Sequence, residues 1–257
     1  MFEVDTTDEL SKSFPELESN FSDGIRRAQG LNRPILVSVA RMVSPGLVPA
    51  DLFFGAQAAF SKNVFWCKPS EGFWVVGVGS AISLASESSQ PAIVTQRLYR
   101  HWLENGVVDC PPISGVGPIL LGGITFDPGA EKTQVWKGFP DYQFTIPQFV
   151  FTVTDNKQWL TVNSTVTAGQ DGRKVLEQIE QKFSRIRQQH GYVTEQPRLL
   201  EINEGSHQEW VSNVNRVLHD IETDQLTKVV LARRKQLTGD GDFSVHKVLN
   251  RLSSTYP

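Results

Sequence analysis

Apolar residues recur along this chain with two spacings, one suited to strands and one suited to helices. Residues 1 to 33 are polar with scattered apolar positions (Phe14, Leu17, Phe21, Ile25) and predict a short helix or a loosely held arm. Ile35-Leu36-Val37-Ser38-Val39-Ala40, opened by Pro34, is almost continuously apolar and predicts a buried strand. Leu52 to Ala59 predicts a helix. Val64 to Lys68 and Phe73 to Val78 are aromatic and β-branched runs joined by Pro69-Ser70-Glu71-Gly72, so a hairpin is expected. The serine-rich stretch Ser83 to Gln90 predicts a loop, and Ile93, Leu98, Trp102 and Leu103 a helix ending near Gly106. Ile119 to Phe126 and Phe144 to Val162 return to strand-like runs broken by proline and glycine.

Two amphipathic helices follow. Val175, Leu176, Ile179, Phe183 and Ile186 share one face, with Gly191 as the stop. Trp210, Val211, Val214, Val217, Leu218 and Ile221 share a face of the second. Ser206 with Glu209 three residues later marks its start, the capping-box arrangement in which each side chain satisfies a free N–H of the first turn. Lys228-Val229-Val230-Leu231-Ala232 predicts a short buried strand, and Val245, Val248, Leu249 and Leu252 a last helix. Proline pushes the residue before it toward extended geometry, so Tyr256-Pro257 is expected to lead into another strand, in a truncated chain. Strands in clusters with helices between them favour an α+β fold over a regular βαβ array. The expected division is an arm or short helix over 1–33, an α+β region over 34–205, and the start of a catalytic region over 206–257.

With 257 residues, 39% hydrophobic and 21% charged, the chain can bury a substantial core. A net charge of -3 gives no broad electrostatic reason to expect nucleic acid or an acidic membrane as partner. The acidic N-terminus lacks a signal-peptide pattern, and no apolar run approaches the ~20 residues of a membrane span. Cys67 and Cys110 are far apart with no CxxC, which argues against a disulfide scaffold or a cysteine zinc site. A cytoplasmic protein is expected, or a stromal one if a transit peptide is missing. The N-x-[ST] triplets at Asn20 and Asn163 are then read as chance.

Most candidate sites have a simpler structural reading. Gly77-Val78-Gly79 lacks the third glycine of a dinucleotide turn and suits a strand kept slim for packing. The five histidines (101, 190, 207, 219, 246) have no metal-binding spacing. Asp220, Glu222 and Asp224 imitate the start of a calcium loop without its glycine. Arg233-Arg234-Lys235 is a small basic cluster without a wider basic surface. Gly122-Gly123-Ile124-Thr125-Phe126-Asp127 is a strand whose glycines permit close backbone approach. A lysine opening an apolar strand, as Lys228 does, ordinarily snorkels to water.

Lys228 acquires more meaning from its surroundings. Leu226-Thr227-Lys228-Val229-Val230-Leu231-Ala232-Arg233, just after an amphipathic helix, resembles the signature strand of the chorismate-utilising enzymes. It is most similar to the KVVLAR form of their isochorismate synthases. The helix Trp210 to Ile221, the GGxxFD-like run Gly122 to Asp127 and the hairpin around Phe65-Trp66 and Phe73 to Gly79 also resemble that family. The resemblance implies an α+β fold of packed sheets with helices outside, incomplete in this chain. It also implies a magnesium-dependent isomerase that acts on chorismate, feeding menaquinone, phylloquinone or siderophore synthesis.

In that family, lysine at this position goes with water as the nucleophile, which makes Lys228 the implied general base. A free lysine titrates near 10.4, so a neutral amine at pH 7 costs roughly 4 kcal/mol, which burial and a nearby cation can supply. The resemblance further implies attack at C2, loss of the C4 hydroxyl to a glutamic acid, and magnesium on the substrate carboxylate. The acid lies in a GASPE-like segment that this sequence lacks, so the acid and the magnesium ligands are expected beyond Pro257 and the chain is expected to be inactive alone. Salicylate synthase is the alternative within the enzymes. A non-catalytic scaffold half of a split protein is the alternative outside them.

Overall fold

The structure is a computed structural model that describes residues 10–44, 46, 48–57, 59–86, 90–127, 129–134, 136–187 and 197–256. Two compact units are present, residues 1–192 with 250–257 and residues 193–249.

In the first unit, β1 (Ile35–Val43), β2 (Asn63–Lys68), β3 (Phe73–Val78), β5 (Val107–Asp109), β8 (Phe149–Thr154) and β9 (Lys157–Val166) build a six-stranded sheet. Its order is β2-β3-β8-β9-β1-β5, and β1 with β5 is its one parallel pair. A second, antiparallel sheet has β7 (Tyr142–Ile146) between β4 (Ile82–Ser86) and β6 (Leu121–Ile124). The expected hairpin forms: Lys68 pairs with Phe73, and Gly72 turns the chain at φ 61°. Gly77 is slim for the reason expected, since a Cβ there would lie 2.5 Å from the Pro147 ring.

Helices α1 (Leu10–Ser13), α2 (Leu17–Leu31), α3 (Pro49–Ala56) and α5 (Gly172–Arg187) belong to this unit. Phe14, Leu17, Phe21 and Ala28 are fully buried, and α2 packs on β1 and β9. Residues 17–31 are therefore a core helix and not a loose arm. Burying each Leu or Phe of this kind contributes roughly 1.5–3 kcal/mol. Asp171 starts α5, its Oδ1 accepting from the backbone N–H of Arg173 (2.9 Å) and Lys174 (3.2 Å). Val175, Leu176, Ile179 and Ile186 are buried as the spacing predicts, and Phe183 lies 5.3 Å from Phe149. Gly191 falls outside the described residues.

Side chains alternate across β1, so Leu36 points away from α2 and joins Ile82, Leu84, Tyr142 and Ile146 in a second core. Val94, Leu98, Tyr99, Trp102 and Leu103 of α4 (Pro91–Glu104) cover it. This packing corrects one expectation. Ser83 to Gln90 begins as strand β4, because Ile82 and Leu84 alternate with Ser83 and Ala85 and only the first pair is buried.

The second unit holds the ribbon of β10 (Leu199–Asn203) and β11 (Gln236–Gly239), with α6 (His207–Glu222) between them in sequence. Ser206 caps α6, its Oγ accepting from the N–H of Glu209 at 3.2 Å, while the return bond of the expected box, from the Ser206 N–H to the Glu209 side chain, does not form. The last helix is α7 (Val245–Thr255). The Tyr256 N–H donates to the Leu252 carbonyl at 2.8 Å, so Tyr256 continues the hydrogen-bonding pattern of the helix. No helix among the described residues is long and apolar enough to cross a membrane.

Candidate active site

Lys228 sits between the end of α6 and the start of β11. The helix closes where Asp224 takes a left-handed backbone (φ 53°), with the N–H groups of Gln225 (2.9 Å) and Leu226 (3.2 Å) donating to the Asp220 carbonyl. Asp220, Glu222 and Asp224 thus surround a helix terminus, as the simpler reading holds. Beyond it the chain runs from Leu226 to Lys235 without pairing to any strand.

The buried strand expected over Lys228–Ala232 is absent from this structure. Lys228 is exposed and makes no hydrogen bond or ion pair among the described residues, and Val230 is 82% exposed. The physical reason is the lack of a neighbour. A strand is buried when a ladder and covering side chains surround it, and among the described residues the second unit has only the β10–β11 ribbon. The α6 face has the predicted apolar residues, but none of them is buried, and every residue of β10 is exposed.

The basic cluster that follows has a structural partner. Glu204 accepts hydrogen bonds from Arg233 (3.0 Å) and from Lys235. The Lys235 hydrogen bond, more than the Arg233 charge, holds the Glu204 carboxyl below the usual range. Asp240 binds the Arg198 backbone at the other end of the ribbon (2.7 and 3.1 Å).

No group of three or more His, Cys, Asp or Glu side chains suited to a metal occurs among the described residues. Among the described residues, the magnesium site that the resemblance implies has no such ligand cluster, and His101, His207, His219 and His246 do not join one.

The first unit contains a feature with little signal in the sequence, a cavity of about 520 Å³ beside β6. Lys62, Ser83, Leu121, Gly123 and Thr145 line it, together with Trp136 and Phe139, whose ring centres are 5.3 Å apart. Its residues come from four separate stretches, so spacing along the chain could not reveal it.

A family described as chorismate binding enzyme matches residues 23–257, nearly all of the chain. The chain belongs to this family. Over 237 residues, 89% of the chain, it is 27% identical to the isochorismate synthase MenF of Bacillus subtilis (strain 168), covering 50% of that protein. Over 246 residues, 95% of the chain, it is 24% identical to the salicylate biosynthesis isochorismate synthase of Pseudomonas aeruginosa, covering 50%. It is 30% identical to the chloroplastic isochorismate synthase of Catharanthus roseus over 182 residues, 65% of the chain and 29% of that protein. The fold resembles the solved menaquinone-specific isochorismate synthase MenF of Escherichia coli, with TM-score 0.58 and 12% identity over 95% of this chain and 49% of that one. The chain spans about half the length of the first two of these relatives and of the solved structure.

Proposed function

We propose that this chain is the lysine-bearing half of an isochorismate synthase, with Lys228 as the base that activates water. The observation that carries the reading is the KVVLAR run at Lys228–Arg233, inside a family match that extends from residue 23 to 257. The three relatives described above are all named isochorismate synthases, which supports the same reaction here.

In this reading the neutral Lys228 amine accepts a proton from water as the water oxygen bonds to C2 of chorismate. The ring double bonds shift, and the C4 hydroxyl leaves with a proton from an acid. The product is isochorismate, an isomer, so no oxidant or reductant is consumed. Water is a poor nucleophile at neutral pH, and a positioned base contributes typically 10²–10⁴-fold.

An exposed amine is a poor site for such a base, because water stabilises its charged form. Leu200, Ile202, Val211, Leu218 and Val230 of the second unit leave apolar side chains exposed. Polypeptide corresponding to the other half of the relatives would cover that surface and bury Lys228. It would also contribute the acid and the magnesium ligands, for which the residues here do not fit. The product would feed menaquinone, phylloquinone or siderophore synthesis, and we place the protein in the cytoplasm.

The test is chorismate turnover with magnesium, followed by chromatography, for this chain alone and mixed with the unmatched half of Bacillus subtilis MenF. Isochorismate is expected only from the mixture. Turnover by the chain alone overturns the need for a second half. A folded complex without turnover overturns the assignment as an isochorismate synthase and favours a binding or scaffolding role.

A further inference from the structure

The buried face of α5 has a polar margin. Val175 and Ile179 are buried, and Gln178 and Lys182 each follow one of them by three residues, on the adjoining side of the helix. Gln178 and Lys182 line a cleft of about 180 Å³ whose other lining residues include Ser164 of β9. The strand has a matching irregularity. Leu160, Val162, Ser164 and Val166 alternate onto the face beneath the helices, and Ser164 puts a hydroxyl where its neighbours put apolar side chains. Ser164 Oγ has a long contact of 3.5 Å to the Thr165 carbonyl.

Gln148, in the turn between β7 and β8, also lines the cleft. Asn163 fixes its backbone. The Asn163 N–H donates to the Gln148 carbonyl, and the Asn163 side-chain amide donates to the Pro147 carbonyl, both at 2.8 Å. Only 6% of Gln148 is exposed, yet its side-chain amide has no hydrogen-bond partner among the described residues. A buried amide is normally paired, because leaving it unpaired costs its desolvation in full. For Gln148 the partner has to come from the cleft.

The charge balance names the kind of partner. Among the described residues that line the cleft, Lys182 is charged and none is a carboxylate. Lys182 has no ion pair among the described residues, whereas Glu177 of the same helix is taken up by Arg173 at 3.4 Å. Ser80, from the turn between β3 and β4, and Ser164 add hydroxyls, and Gln148 and Gln178 add amide N–H groups. Donors therefore come from a helix, a strand and two turns. A tetrahedral oxyanion accepts from several directions at once, and a planar carboxylate accepts mainly within its plane.

We propose that this cleft binds a phosphate group, held by the Lys182 ammonium, the Gln148 and Gln178 amides and the Ser164 hydroxyl. The phosphate is either the free ion or part of a small metabolite, and the cleft is roomier than a single water requires. Occupation ties α5 to β9 and to the β7–β8 turn, and a ligand that binds only the folded chain stabilises it. None of these residues belongs to the segment around Lys228, so the site stands whether or not the isochorismate reading does.

The experiment is titration of this chain with inorganic phosphate by calorimetry, at an ionic strength held constant with chloride. Glycerol phosphate and acetate are titrated in parallel, and thermal unfolding is followed with and without phosphate. Saturable binding, a thermal midpoint raised by phosphate, and binding weakened at least tenfold in Lys182→Gln and Gln148→Leu are the expected results. Should Gln148→Leu fail to fold, Lys182→Gln decides, since its side chain is exposed. Tighter binding of glycerol phosphate than of phosphate assigns the site to a phosphorylated metabolite, and the reverse order assigns it to the free ion. The absence of saturable binding overturns the proposal, because water alone then serves Gln148. So does phosphate binding that the folded variants retain, because the ion then sits elsewhere. Acetate bound as tightly as phosphate overturns it too, since the cleft then does not select a tetrahedral group.

Discussion

The Glu204 carboxylate accepts a 3.0 Å hydrogen bond from Arg233, joining residues 29 apart in sequence across the start and end of the α6 excursion. Lys235 binds the other oxygen of the same carboxylate. The segment that bears Lys228 is therefore anchored at its C-terminal end by this double contact and at its N-terminal end by the closure of α6 on Asp220. Between these anchors it has no ladder, so its position depends on the two ends.

Neutralising the anchor should loosen this segment. Glu204 titrates below the ordinary carboxylate range, chiefly because Lys235 hydrogen-bonds its charged form. A carboxyl lowered in the folded state contributes stability that is fully present above its unfolded value and is lost as pH falls through its lowered value. Protection of the β11 amides (Gln236–Gly239) against exchange, corrected for the intrinsic pH dependence, should therefore fall on acidification, and Glu204→Gln should show fast exchange already at neutral pH. The thermal midpoint should hardly change, because exposed ion pairs contribute little. Slow exchange in Glu204→Gln would show that the contact does not anchor the segment.

Lys228→Ala in the complemented enzyme should lower the rate of isochorismate formation by two to four orders of magnitude, the typical contribution of a general base. Lys228→Arg should not rescue it, since a guanidinium stays protonated. Chromatographic rates at saturating chorismate would measure both. A near-normal rate for Lys228→Ala removes that residue from the reaction.

The sequence was legible where burial is local to one element or one hairpin. The β2–β3 hairpin, the Ser206 cap and the apolar face of α5 each express their rule within about twenty residues. β4 was missed because serine masks a two-residue alternation that only Ile82 and Leu84 display. The strand expected at Lys228 has the right composition, yet strand formation needs a neighbour that no local pattern supplies. The candidate site was legible as one residue with its motif, through resemblance. The cavity beside β6 was not, because Lys62, Ser83, Leu121 and Trp136 meet only through tertiary structure.

Cys110 should be a slow thiol. Burial pushes its pKa up, with a smaller opposing contribution from the Ser38 hydroxyl, whose Oγ lies 3.4 Å from Sγ. The thiolate is the reactive form, so alkylation by a maleimide at pH 7 should be slower than for a free cysteine peptide. Mass spectrometry of quenched samples would follow it. Labelling as fast as the peptide would show that the β1–β5 end of the sheet opens readily.

Gly24 and Gly30 lie on the same helix and should respond oppositely to alanine. A Cβ at Gly24 would stand 2.5 Å from Val37 Cγ2 and 2.8 Å from Val166 Cγ2, both on buried strands beneath α2. The methyl group can be accommodated only by lifting the helix or displacing two core valines, and such overpacking typically costs 1–3 kcal/mol. At Gly30 an added Cβ meets nothing within 4 Å. There alanine gains helix propensity and restricts the unfolded chain, for a stabilisation of about 0.5–1 kcal/mol. Urea unfolding should place the midpoint of Gly24→Ala below that of the parent chain and that of Gly30→Ala above it. Equal midpoints for the two variants would mean that α2 does not rest on β1 and β9 through Gly24.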